Sequence, residues 1–107
     1  MQRSEFINTL CEALRGAGFE CTEDSEYIVI TNGMKRVSFS LYDKCCAISS
    51  RIVLDGEVLW CSQIFMYYDE TFNIRVSKDT GTLFASLNGE ASFATVDLGG
   101  VPDKGDF

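Results

Sequence analysis

Three dipeptides, Asn32-Gly33, Asp55-Gly56 and Asn88-Gly89, each stand between runs in which apolar and polar residues alternate. Asn-Gly and Asp-Gly suit the positive φ angles of a two-residue type I′ turn, so each marks a tight hairpin. The flanking runs are YIVIT and MKRVSFSL, then CAISSRIVL and EVLWCSQIF, then TLFASL and EASFATVDL. FNIRVS alternates on its own, with Phe72, Ile74 and Val76 on one side. A two-residue turn also fixes register, so facing residues follow by counting outward. About the first turn Ile28 falls opposite Val37 and shares its face with Ile30 and Phe39, while Tyr27, Val29, Arg36 and Ser38 take the other. About the second, Ile52 meets Leu59 on a face shared with Ile48, Leu54 and Cys61; Val53 meets Val58 and Arg51 meets Trp60 on the reverse. About the third, Phe84 falls opposite Phe93, with Leu83 and Ala85 on the face of Ile74 and Val76.

Ahead of the strands the period is 3.6. Phe6, Ile7, Leu10, Cys11 and Leu14 form one stripe, which predicts a helix from Ser4 to Arg15. Ser4 is the expected N-cap, Glu5 complements the helix dipole and Gly16 is the expected stop. Short connections exclude parallel crossovers. The expected fold is therefore α+β: one N-terminal helix packed on a curled antiparallel sheet of about six to seven strands, a meander of hairpins. Residues 1–98 are expected to form a single domain and the Gly-rich segment 99–107 a flexible tail.

At 46 % hydrophobic and 23 % charged residues the chain is globular in composition. No run approaches the roughly 18 apolar residues of a membrane span. Glu5 and Glu12 interrupt any signal-like apolar run near the start, which points to a cytoplasmic protein. Histidine is absent, which removes the commonest general base and metal ligand. No phosphate loop or dinucleotide fingerprint is present. The acidic pairs Asp69-Glu70 and Asp55-x-Glu57 lie in turns, where solvated carboxylates belong. The sequence thus predicts no catalytic residues, no cofactor and no metal: not an enzyme. The five cysteines, Cys11, Cys21, Cys45, Cys46 and Cys61, show no C-x-x-C spacing. Neighbours on a strand face opposite ways, so Cys45 and Cys46 cannot share an ion, and the expectation is small, buried, reduced thiols.

A formal net charge of −7 without a basic run disfavours direct nucleic-acid binding and favours a basic protein partner. The densest acidic stretch supplies Glu20, Glu23, Asp24 and Glu26. With Asp69 and Glu70, backed by Tyr67 and Tyr68, these form the candidate partner-binding patch. Trp60 joins them as an aromatic on the second sheet face, where Arg51 is positioned to stack on it. The format, compact and acidic without catalytic residues, resembles in general character phage-encoded antagonists of nuclease defences, such as anti-CRISPR proteins, and toxin-immunity proteins. That resemblance implies an inhibitor masking a nucleic-acid-binding surface, as a monomer or a homodimer. The opening, an amphipathic helix, GFEC, an acidic turn and YIVI, is similar to the start of type III secretion chaperones. Those carry a second helix, and nothing between Tyr42 and Leu98 reads as helical. A structural or assembly component that adds strands at a sheet edge is the third reading.

Overall fold

The computed structural model describes residues 1–21, 26–87 and 92–100, the side chains of Ser92 and Phe93 apart. Helix α1 spans Arg3–Gly16. It starts ahead of the expected Ser4 cap: Gln2 is the N-cap, and its backbone N–H donates to Glu5 Oε1 at 3.2 Å. It also runs through Gly16. The stop is Gly18, at φ 95°, where Gly18 N–H donates to Arg15 O and Phe19 N–H to Leu14 O, both at 2.9 Å. This paired closure is a Schellman ending. Phe19 and Leu14, the two apolar residues it brings together, are both buried.

Seven strands follow: β1 (Tyr27–Asn32), β2 (Lys35–Leu41), β3 (Cys45–Leu54), β4 (Glu57–Tyr67), β5 (Phe72–Val76), β6 (Thr82–Leu87) and β7 (Ser92–Asp97). All pairings are antiparallel, in the orders β1-β2-β3-β4 and β5-β6-β7. The α+β class holds, but the single curled sheet is replaced by two sheets. The break falls after β4, where Glu70 N–H donates to Tyr67 O at 3.2 Å and turns the chain. The amino terminus then holds the loop, donating to the carbonyls of Tyr68 and Glu70.

Register departs from simple counting in each hairpin. In the first, the turn is Gly33-Met34, so Ile30 faces Val37 and Ile28 faces Phe39. Only Gly33 has positive φ there, which fits a II′ turn with glycine first; a shift of two leaves the faces as expected. Asp55 and Gly56 both have positive φ, as I′ requires, and Val53 faces Val58. A bulge then leaves Leu59 without a counterpart, so Trp60 faces Ile52 and Cys61 faces Arg51. One extra residue moves every later side chain to the other face. In the third, an irregularity between Ala85 and Ser86 sets Phe84 opposite Thr95 instead of Phe93; the Asn88-Gly89 turn lies outside the described residues.

The α1 stripe of Phe6, Ile7, Leu10 and Leu14 packs in one core with Ile28, Val37, Phe39 and Ile48 of the first sheet and Leu83, Ala85 and Val96 of the second. Phe6, fully buried, lies 5.2 Å from the Tyr68 ring and edge-on at 6.2 Å to Phe72. The segment after β7 crosses the β5–β6 turn, with Leu98 N–H donating to Gly81 O at 3.0 Å. A Cβ on Gly81, at φ 69°, would lie 2.3 Å from the Gly100 carbonyl carbon. Of the expected tail, Gly99 and Gly100 are held against the sheet, Gly99 O accepting from Asn32 Nδ2; residues 101–107 lie outside the described ones.

The cysteines are not uniformly reduced and buried. The chain reversal after Gly18 returns Cys21 alongside the helix, where it forms a disulfide with Cys11 at a Cα separation of 5.5 Å. Cys46 is buried, Cys45 half-buried and Cys61 exposed, all three free. Among the described residues no helix is long and apolar enough to cross a membrane.

Candidate functional site

One end of the first sheet gathers the start of β1, the end of β2, the start of β3 and the end of β4. On the face turned away from α1, a single row runs Tyr27, Ser40, Ala47, Phe65. At about 4.8 Å between strands, the small pair Ser40 and Ala47 holds the two aromatic-bearing edges some 14 Å apart. Tyr67 pairs with Cys45 in the next row, and Tyr42 follows the end of β2. Tyr27 and Tyr42 are 57 % exposed, Tyr67 54 % and Phe65 45 %. Glu26, Asp43, Asp69 and Glu70, all exposed, stand at the same end, tied there by backbone bonds from Leu41 N–H to Glu26 O and from Tyr68 N–H to Lys44 O. A surface depression of about 570 Å³ opens among Met1, Arg3, Asp43, Lys44, Tyr67 and Asp69. The result is a strand-end platform of rings and carboxylates, with Arg3, Lys44 and the amino terminus at its side.

The predicted patch is thus partly assembled. Glu26, Tyr67, Asp69 and Glu70 come together; Glu23 and Asp24 lie outside the described residues. Glu20 follows Phe19 at the C-terminal end of α1, whereas Arg3, in its first turn, reaches the platform; the 14-residue helix is about 21 Å long. Tyr68 is a correction. It is 5 % exposed and packs on Phe6, because the turn after β4 sends its ring inward. Its hydroxyl donates to Tyr42 O at 2.9 Å, and that carbonyl also accepts from Arg3 Nε at 3.2 Å. Arg3 Nη2 donates to Leu41 O at 2.9 Å. The platform is therefore braced by the buried Tyr68 and by the half-buried Arg3 at its margin.

Burial pushes Tyr68 up to about 12; the neighbouring Cys46 adds to this and Arg3 opposes it. Burial, with Cys45 beside it, likewise pushes the Cys46 thiol up to about 12. A thiol held neutral is a poor nucleophile, so Cys46 serves as packing. Among the described residues no three acidic or thiol side chains converge to hold an ion.

Trp60 is not part of this platform. It lies seven residues before Tyr67 on β4, roughly 23 Å away, and the bulge turns it to the face that carries Ile48 and Ile64. Its cation is Lys35, with Nζ 4.9 Å from the ring centroid, because Lys35, Ile52 and Trp60 form one row. The predicted Arg51 partner faces Cys61 instead. On the second sheet, Arg75 covers Phe84 at 4.2 Å. Tyr42, Asp43 and Phe65 are platform residues that the sequence reading passed over. The signal available was the Asp43-Lys44 turn, which must bring its neighbours to the same end as Tyr67.

No protein family, curated protein or solved structure matches the chain.

Proposed function

We propose that the protein is a non-catalytic binding protein that masks a basic, nucleic-acid-binding surface of a partner protein, in the manner of a nuclease antagonist or immunity protein. The observation that supports it most is the pairing of half-exposed Tyr27, Tyr42, Phe65 and Tyr67 with four carboxylates at one strand end. Aromatics that keep an apolar body and a polar tip suit the centre of an interface. Carboxylates at the rim steer a basic partner and set salt dependence. The chain's net charge of −7 acts in the same direction. We place this action in the cytoplasm, where the Cys11–Cys21 pair meets a reducing poise and the α1–sheet core must hold without it.

The test is affinity capture from native host extract at low and moderate salt, followed by titration of the captured partner. Paired reversal of Asp69 and Glu70 to lysine is expected to weaken binding at least tenfold and flatten its salt dependence. Unchanged affinity of that variant for a basic partner would overturn the reading.

A further inference from the structure

Strand β4 is the outer edge of the first sheet: β3 lies on one side, and no described strand pairs with the other. Protein edges of this kind are ordinarily blunted by lysine, proline, shortness or a bulge, and β4 carries only the last, near its start. Here the edge is 11 residues long, and from Val58 to Tyr67 it holds no charged residue, proline or glycine. Val58, Leu59, Trp60, Phe65 and Tyr67 are each 45–58 % exposed. The bulge at Leu59 is its one irregularity, leaving Trp60 to Tyr67 in regular pairing.

We propose that this edge is a self-association surface, on which a second copy of the chain adds its own β4 antiparallel to form a continuous eight-stranded sheet. Three observations select a copy of the same chain. First, charge: two molecules of net charge −7 repel, and β4 is an approach on which carboxylates do not meet. In the register that sets Ser62 on the two-fold axis, Trp60 to Ile64 pair within the regular stretch and the two Glu57 side chains stand about 33 Å apart. Second, self-complementarity: the same register sets Trp60 opposite Ile64 of the second copy on one face, twice by symmetry. Aromatic–aliphatic pairs are favourable across strands, and an isologous contact requires such matching. Third, area: the exposed halves of five large side chains, at up to roughly 250 Å² for an aromatic, come to at most on the order of 500 Å² per chain. An added strand covers only their edge-facing part, which is short of the ~800 Å² per partner of a standard interface and fits a weak, concentration-dependent dimer.

The inference goes beyond the docking reading; the two surfaces share Phe65 and Tyr67, while Trp60 belongs to the edge alone and Asp69 and Glu70 lie past the end of β4. Sedimentation equilibrium of the full chain over a range of concentrations is the test, with Trp60→Glu and Phe65→Glu as variants. Both positions are about half exposed, and circular dichroism checks that the fold is kept. The wild type is expected to dimerise, and each variant to raise the dissociation constant about tenfold or more. Reversal of Asp69 and Glu70, which takes the net charge from −7 to about −3, is expected not to raise it. Gln63→Cys places a thiol opposite Cys61 of the second copy, so oxidation is expected to link the dimer covalently, while Asn8→Cys on the exposed face of α1 is not. A wild type that stays monomeric, a dimer indifferent to both glutamates, or a dimer that Gln63→Cys fails to link overturns the proposal.

Discussion

Tyr68 and Cys46 show how burial decides what a titratable side chain does. Tyr68 donates to the Tyr42 carbonyl from within the core, and both groups are held protonated, with pKa values of about 12 against ordinary values of 10.0 and 9.0. A group whose folded pKa is raised contributes stability that is complete below its unfolded pKa and is lost as pH climbs through the folded one. Stability is therefore expected to fall from about pH 9 toward pH 12, read as a declining urea midpoint. Tyr68→Phe should shrink the part of that decline above pH 10 and cost about 1 kcal/mol at neutral pH for the lost hydrogen bond. Native thiol labelling at neutral pH should modify Cys61 rapidly and leave Cys46 untouched. Gly81→Ala is expected to destabilise well beyond the ~1 kcal/mol of an unfavourable φ alone, because the new methyl meets the Gly100 backbone. Gly56→Ala, with open space around it, should cost only the backbone term. The comparison of their urea midpoints tests this.

At the scale of elements, the disulfide is the feature with the most direct chemical readout. Titrating thiols in denatured, unreduced protein should give three, from Cys45, Cys46 and Cys61; five would show the bridge to be absent. Closing a ten-residue separation contributes about 2–3 kcal/mol on the chain-entropy account, so Cys21→Ser should lower stability by that amount. The strands and the helix stripe were legible because periodicity is local: every alternation between Tyr27 and Leu41 points to the face it takes. The bulge at Leu59 was not, since EVLW reads equally well with or without an extra residue, and the extra residue alone moved Trp60 from Arg51 to Lys35. The Cys11–Cys21 pairing was hidden for a similar reason. It depends on how far Gly18 turns the chain, which spacing does not encode. The loop between the sheets meets the amino terminus at Tyr68 and Glu70, some 67 residues away in sequence, a contact that no local pattern encodes.

For the whole molecule, α1 is the element on which both sheets close. Its stripe joins both sheets into one core, and Phe6→Ala, removing a ring packed on Tyr68 and Phe72, should cost about 3–5 kcal/mol in chemical denaturation. The platform depends on that core through Tyr68 and Arg3, so loss of packing at Phe6 should weaken partner binding without any change to a surface residue. A variant that unfolds earlier yet binds with full affinity when folded would show the two to be uncoupled. Pairing through β4 would place two platforms at opposite ends of one extended sheet, turning a single docking end into a bivalent one whose avidity depends on partner spacing.

The chain's one indole is Trp60, half in water, beneath an ammonium group, at the end of the sheet remote from the tyrosines that surround Tyr42. Its emission is thus a native optical gauge of that end alone: covering the ring by another strand should shift the spectrum to the blue, while occupancy of the acidic end should pass unseen.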